Sequence, residues 1–165
     1  MTLVLGIDPG TATTGYGFVR QRDDDSLEAV AYGVITTPAK TPAHERLVSI
    51  YEQLNELLLL HQPELCAVEK LFFQKNVTNA IAVGQARGVI MLGLAQAGMA
   101  PAEYTPNEIK LAVAGYGGAG KRQVQEMVRM LLELDSIPRP DDAADALAVA
   151  ITHIHSARML NLANY

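Results

Sequence analysis

Four carboxylates occupy positions from which acidic side chains could bind a metal ion and act on a substrate. Asp8 and Glu69 each come directly after a short apolar run, which predicts a buried strand that ends at the acid. Ligands of open α/β sheets bind at that edge of the sheet. Asp142 and Asp145 stand three residues apart at the start of a predicted helix, so both side chains lie on one face. The pattern predicts that the four acids meet at one sheet edge.

Each acid has a structural explanation when it is considered alone. Asp8 begins an Asp-Pro-Gly turn, and Asp142 and Asp145 could satisfy the free N–H groups and the dipole of a helix start. Glu69 is harder to explain in this way, because a charge beside a buried strand needs solvent or a partner. If the four acids converge, a metal-binding role is favoured over the structural ones, because acids gathered at one place repel one another unless cations hold them.

The types of these residues indicate which metal they would bind. Carboxylates with neither cysteine nor histidine close by in the sequence are hard oxygen ligands, which suit Mg²⁺ or Mn²⁺. Two such ions, about 3.5–4 Å apart, activate a water molecule and stabilise the leaving oxygen of a phosphodiester. The acids therefore predict phosphoryl transfer with two ions per subunit.

A glycine-rich segment suggests a competing function. Gly115 to Lys121 fits the G-x-x-x-x-G-K pattern of nucleotide-binding loops, but Arg122 stands where such a loop needs Ser or Thr. The segment also follows a predicted helix, whereas a nucleotide-binding loop follows a strand. Lys121 and Arg122 instead begin a helix, where cations and free N–H groups favour phosphate. We therefore expect both side chains to contact a DNA backbone.

Two adjacent aromatic residues, Phe72 and Phe73, follow Glu69 closely. Aromatic residues make up 5% of the chain, so a pair beside the predicted site suggests stacking on DNA bases. The alternative is core packing, which is the usual role of phenylalanine. At most one of the two neighbours is expected to face a ligand.

The hydrophobic pattern predicts the elements that must position these residues. Strands are expected over residues 3–7, 15–20, 29–35, 65–68 and 102–104, and helices over residues 42–60, 76–97, 106–114, 121–134 and 142–159. The first three strands form an antiparallel meander. The later alternation of helices and strands predicts an α/β fold, with a mixed five-stranded sheet that is flanked by helices on both faces.

Composition predicts one globular domain over residues 1–165, since 49% of the residues are apolar and the net charge is −5. The acidic balance argues only mildly against a nucleic-acid partner, because bound cations would neutralise the four clustered acids. The single cysteine, Cys66, excludes an internal disulfide framework, and the first residues show no signal-peptide pattern. A cytoplasmic protein is therefore expected. Cys66, His153 and His155 are interpreted as structural.

The predicted helix over residues 76–97 is apolar or small on nearly every side. Gly84 and Gly88 would let a second helix approach closely, while Gln85 and Arg87 argue against a membrane span. We expect this helix either to fill the centre of the core or to lie in a dimer interface.

Motifs along nearly the whole chain, taken in order, are similar to those of one known family. They are Gly6-Ile-Asp-Pro-Gly10, Thr14-Gly-Tyr-Gly17, Ala67-Val-Glu-Lys70 with Phe72, Asn76, Gly84-Gln-Ala-Arg-Gly88, Lys110, Gly115, Lys121, Asp142-Ala-Ala-Asp-Ala-Leu147 and Ile151-Thr-His153. The opening glycine motif alone also occurs in actin-like ATPases and in other RNase H-like proteins. The ensemble resembles the RuvC family of Holliday-junction resolvases.

The resemblance implies an RNase H-like fold and a homodimer that nicks opposed strands of a four-way DNA junction, leaving ends that ligase can seal. It also implies a partner, the junction-migrating helicase complex of RuvA and RuvB. The metal-binding catalytic carboxylates of the family correspond to Asp8, Glu69, Asp142 and Asp145. Phe72 would be the aromatic residue that stacks near the junction centre, and Lys110 and Lys121 would bind phosphate.

Three other functions are alternatives to that of a junction endonuclease. An actin-like ATPase needs two related domains and a second phosphate loop, and the chain has neither the length nor the repeat. A catalytically silent junction-binding protein would gain from the loss of acids beside phosphate. Another RNase H-like nuclease, of the YqgF type, is the nearest enzymatic alternative, and the matches at Phe72 and Lys121 count against it.

Overall fold

The computed structural model describes residues 1–10, 12–70 and 77–163. Its strands are β1 (Thr2–Asp8), β2 (Thr13–Gln21), β3 (Leu27–Thr36), β4 (Leu65–Glu69) and β5 (Ala102–Tyr104). They form one sheet in the order β3-β2-β1-β4-β5. β1, β2 and β3 pair antiparallel, whereas β4 pairs parallel to β1 and β5 pairs parallel to β4. The predicted meander and the mixed five-stranded sheet are confirmed.

The helices of the described chain cover both faces of this sheet. They are α1 (Ala43–His61), α2 (Val77–Gln96), α3 (Pro106–Ala114), α4 (Lys121–Leu131) and α5 (Asp141–Ala163). Side chains alternate between the two faces of a strand, and β1 shows the consequence. Val4 packs in a core cluster with α3, α4 and α5, whereas Leu5 and Ile7 pack in a second cluster with α1 and α2.

Two helix ends differ from the expected ones by three residues or more. α4 ends at Leu131, three residues before the expected end, because the chain turns at Glu133 with a positive φ of 53°. There the N–H of Leu134 donates to the Arg129 carbonyl oxygen and the N–H of Glu133 donates to that of Met130, which is a Schellman cap. α5 continues past its expected end to Ala163, because residues 160–163 contain no glycine or proline to stop it.

Cys66, His153 and His155 have structural surroundings, as interpreted from the sequence. Cys66 is 2% exposed in β4, and burial raises the pKa of its thiol to about 11. Nδ1 of His153 lies 2.9 Å from the Tyr104 hydroxyl, and burial lowers the pKa of this imidazole. Nδ1 of His155 lies 3.1 Å from the carbonyl oxygen of Ala112. Within the described ranges, no helix has both the length and the apolarity that crossing a membrane requires.

Candidate active site

Two of the predicted acids lie side by side at the ends of neighbouring strands. Asp8 ends β1 and Glu69 ends β4, and the parallel ladder pairs Ile7 with Val68 immediately before them. Burial is the main cause that raises the pKa of Asp8 well above its usual range, and the Glu69 carboxyl group beside it acts in the same direction. The parallel pairing therefore brings together two carboxyl groups that lie 61 residues apart in the sequence.

α5 reaches the same edge because the strands beneath it carry glycine. A side chain at Gly6 would overlap the carbonyl oxygen of Ala146, and a side chain at Gly15 would overlap that of Asp142. The helix backbone thus lies against the sheet at a separation that only glycine permits. Since Gly15 pairs with Asp8 in the antiparallel ladder, this contact holds the first turn of α5 over Asp8.

Three carboxylates form the centre of the site. One oxygen atom from each of Asp8, Asp142 and Asp145 lies within 4.8 Å of the other two. Burial raises the pKa of Asp145 to about 6, and neighbouring acids act in the same direction against the opposing charge of Lys121. Repulsion at low dielectric makes such acids retain protons, and a divalent cation would relieve it. The partly buried oxygen donors therefore fit a hard metal ion, with Glu69 beside them on β4.

α3 places Lys110 beside these acids. The helix begins with a capping box, in which the Thr105 hydroxyl accepts from the N–H of Glu108 and the Glu108 carboxylate accepts from the N–H of Thr105. These hydrogen bonds hold the pKa of Glu108 below its usual value. Lys110 follows in the next turn and lines a cleft of about 210 Å³ whose wall also includes Glu69.

Lys121 faces the acids across the same cleft, at the start of α4. Its Nζ lies 3.6 Å from Oδ2 of Asp145 and 3.4 Å from Oδ2 of Asp141. Partial burial lowers the pKa of the lysine, but the two acids outweigh it and the net shift is upward. The ammonium group is therefore charged and lies at the edge of the acidic cluster.

Arg122, a further predicted DNA-binding residue, is not among the residues that line this cleft. Arg122 is exposed, lies 3.5 Å from Glu126 on the next turn of α4, and lines a separate cleft with Arg129. Phe72 and Phe73 lie outside the described residues. A DNA contact of Arg122 and the stacking of Phe72 stay predictions.

The glycine-rich segment does not have the geometry of a nucleotide-binding loop. Gly115 caps the end of α3 with a positive φ of 87°, and Gly120 is the N-cap of α4. The segment thus joins two helices, whereas a nucleotide-binding loop joins a strand to a helix. Together with Arg122 in place of Ser or Thr, this connection argues against nucleotide binding.

Two contacts of the predicted acids were not anticipated from the sequence. Thr13, at the start of β2, donates from Oγ1 to Oδ2 of Asp142 at 2.6 Å. Arg87 of α2 donates to the main-chain oxygen of Glu69 at 3.0 Å and to Oε2 of Glu103 at 2.6 Å. A lone threonine carries no recognisable signal, whereas Arg87 was visible as a charge in an otherwise apolar helix.

Sequence relatives of the chain share one name. The family model described as "Crossover junction endodeoxyribonuclease RuvC" matches residues 4–153. A protein of that name from Chloroflexus aggregans is 58% identical over 156 residues, which cover 94% of each chain. Another, from Desulfitobacterium hafniense, is 54% identical over 159 residues, which cover 96% of each chain.

Solved structures give the same family and the same fold. Thermus thermophilus RuvC in complex with a Holliday junction substrate superposes with a TM-score of 0.91 at 38% identity, covering 96% of each chain. The yeast mitochondrial Holliday junction resolvase Ydc2 shares the fold, with a TM-score of 0.71 at 12% identity over 96% of this chain and 80% of that one. The expected RNase H-like fold is confirmed. With a family model over most of its length and relatives more than half identical, the chain belongs to the RuvC family of crossover junction endodeoxyribonucleases.

Proposed function

We propose that the protein resolves four-way (Holliday) DNA junctions by paired, symmetric, metal-dependent nicks, in homologous recombination and DNA repair. The observation that carries this proposal is the convergence of carboxylates from three separate elements beside two lysines. Repelling acids at a mostly buried sheet edge need cations, and adjacent lysines suit a phosphate.

In this proposal the acids hold the metal and the lysines hold the DNA. The metal ligands are Asp8, Glu69, Asp142 and Asp145. Mg²⁺ or Mn²⁺, two ions per subunit, supplies Lewis acidity toward water and the scissile phosphate when bound there. Lys121 and Lys110, which line the same cleft as Glu69 and Asp145, orient that phosphate. Phe72 stacks near the junction centre, and Arg122 contacts the backbone of an arm.

We further infer a homodimer from the surface of α2. Ile81 is 60% exposed and Leu92 is 52% exposed, and helical spacing places Gly84 and Gly88 between them on the same face. Nothing in the described part of the chain lies within 4 Å of a side chain added at either glycine. A two-fold dimer with one site per subunit matches the two-fold symmetry of a four-way junction, so each subunit would cut one strand.

The wider setting of the proposal follows from the family and the substrate. The partners are junction DNA, a second copy of the chain, and the junction-migrating helicase complex of RuvA and RuvB. The location is the cytoplasm, where a bacterial chromosome is accessible. Residues 1–165 act as one RNase H-like nuclease domain.

The test offers the purified protein a synthetic four-way junction, a linear duplex of the same sequence and a single strand. Each substrate is incubated with Mg²⁺, Mn²⁺ or EDTA. Paired nicks that are confined to the junction and need metal support the proposal. Equal cleavage of the linear substrates would favour another RNase H-like nuclease, such as the YqgF type, and ATP hydrolysis without cleavage would favour an ATPase.

A further inference from the structure

The hydroxyl of Thr13 contacts the acidic cluster without belonging to it. Its Oγ1 donates to Oδ2 of Asp142 at 2.6 Å, which is at the short end of the range for O–H···O hydrogen bonds. Asp142 lies on the first turn of α5 and is only partly buried. A partly buried aspartate can adopt several rotamers, and the hydrogen bond from Thr13 stabilises one of them.

Thr13 is itself held in place by its pairing with β3 and by a close contact with Gly10. It pairs with Thr36 of β3 at the start of the β2–β3 ladder. The turn after β1 also folds back tightly, since a side chain at Gly10 would overlap the main-chain oxygen of Thr13. The donor therefore has a defined position relative to the end of β1, where Asp8 lies.

The hydrogen bond leaves Asp142 able to bind a cation. A carboxylate has two oxygens with about four lone-pair sites, and Thr13 occupies one site on Oδ2. The remaining lone-pair sites can still bind a cation, and one oxygen of Asp142 lies within 4.8 Å of an oxygen of Asp8 and of an oxygen of Asp145. Groups that donate to a metal-binding carboxylate fix its orientation, and their loss typically costs about 10–100-fold in metal affinity or activity.

We propose that Thr13 is a positioning residue that orients Asp142 for metal binding. The inference rests on the metal site of the proposed function and adds a residue that the acidic pattern does not contain. Thr13 acts through Asp142 and needs no contact of its own with metal or DNA.

The test replaces the hydroxyl while it keeps the shape of the side chain. Thr13→Val preserves the β-branched volume, and Thr13→Ser preserves the donor. Binding of Mn²⁺ without DNA is measured as the metal-dependent rise in Tm, and the Mg²⁺ concentration for half-maximal nicking is measured on a junction. We expect Thr13→Val to need about 10–100-fold more metal in both assays. Thr13→Ser should restore wild-type values.

Thr36→Val is the matched control, because it makes the same change in the ladder partner of Thr13. If Thr13→Val alone unfolds, Thr13→Ala removes the same hydroxyl with less crowding. Unchanged metal dependence in the folded hydroxyl-deleted variant would overturn the role of Thr13. Asp142→Asn separates the two proposals. A normal metal response in this variant removes Asp142 from the proposed metal site, whereas a lost response beside a normal Thr13→Val overturns only the role of Thr13.

Discussion

The negative charge of Asp8 would serve metal binding but destabilises the folded protein. Its carboxyl group is largely withdrawn from water next to Glu69, and burial with neighbouring acids raises its pKa. Without a cation, ionisation of this group opposes folding. Such a residue is expected where a site needs concentrated negative charge, because ordinary packing would be served better by an uncharged side chain.

The first prediction separates chemistry from binding at Asp8. Asp8→Asn keeps the size of the side chain and removes the negative charge that would hold the cation. We expect single-turnover nicking to fall by about 10³-fold or more, since metal catalysis contributes several kcal/mol. Junction affinity in EDTA should be retained or rise, because one charge that repels phosphate is gone.

The control for this variant is Asp24→Asn in the turn between β2 and β3, at the other end of the strands. It should nick at the wild-type rate. Near-wild-type nicking by folded Asp8→Asn in Mg²⁺ would end the assignment of Asp8 as a metal ligand and leave it as a turn residue.

The second prediction concerns stability against pH in the metal-free protein. The folded state raises the pKa of Asp8 and of Asp145, so it binds these protons more tightly than the unfolded chain does. Their contribution to stability is therefore complete below the ordinary aspartate pKa of 3.8, and it is lost as pH rises through the folded-state pKa values of about 6 for Asp145 and about 9 for Asp8. In EDTA, Asp8→Asn should have a higher Tm than wild type at pH 8, by about 2–4 °C for each kcal/mol of repulsion removed.

Thermal unfolding at pH 4.5 and pH 8, with EDTA or Mg²⁺, tests this expectation. The advantage of Asp8→Asn should shrink at the lower pH, where wild type is also protonated. Mg²⁺ should stabilise wild type more than the variant at pH 8. A variant that is less stable than wild type in EDTA at pH 8 contradicts the repulsion argument.

The third prediction assigns Lys121 to phosphate. Lys121→Ala should weaken junction binding for every sequence, and should lower the slope of log K against log salt by about 0.9, the value of one duplex phosphate contact. Arg22→Ala, which removes a cation at the hairpin end of the sheet, should leave the slope unchanged. Equal slopes for wild type and Lys121→Ala would remove Lys121 from the DNA surface.

At the scale of elements, the contact of α5 with β1 and β2 sets the geometry of the site. The fourth prediction is that Gly15→Ala disturbs both stability and nicking, because its Cβ would overlap the Asp142 carbonyl oxygen. Displacing the helix should cost about 1–3 kcal/mol or more. Gly117→Ala is the control, since its added Cβ meets nothing within 4 Å in the described structure. Wild-type Tm and nicking in Gly15→Ala would show that α5 does not need this close approach.

Helix ends show which local features a sequence reveals. α2 and α4 both end in a Schellman cap, with Gly98 and Glu133 as their respective residues of positive φ. Gly98 predicted its helix end because glycine adopts this conformation without strain. Glu133 did not, because a glutamate in the left-handed region is set by surrounding contacts rather than by its own preference. The order and type of the helices and strands could be predicted from the spacing of apolar residues, because that spacing depends on many residues and not on one.

The residues of the candidate site also divide into those that the sequence predicted and those that it did not. Asp8 and Glu69 could be found because a charge directly after an apolar run is conspicuous, and Asp142 and Asp145 because their spacing places them on one helical face. Thr13 could not be found, since its role depends on a partner 129 residues away. Lys110 was found only through the family resemblance, because a single lysine on an amphipathic helix is ordinary.

At the scale of the whole molecule, the fifth prediction tests the α2 face as the dimer interface. Leu92→Glu places a charge on this face and should give a monomer in sedimentation at micromolar concentration, where we expect wild type to be a dimer. On a cruciform plasmid the variant should produce nicked circles rather than linear DNA, because paired cuts need two sites. Leu59→Glu, at an exposed leucine of α1, is the control. A dimeric Leu92→Glu variant would exclude this face.

The hydrogen bond between Thr13 and Asp142 joins positions 129 residues apart, so the acidic cluster draws on both ends of the chain. During synthesis on the ribosome, Asp8 and Glu69 emerge long before the acids of α5. A chain that is interrupted before α5 has half of the carboxylates and lacks one of the three helices that cover one face of the sheet. Under the proposed assignment, such an unfinished copy lacks two of the four metal ligands, so we expect it to have no metal-dependent nicking activity.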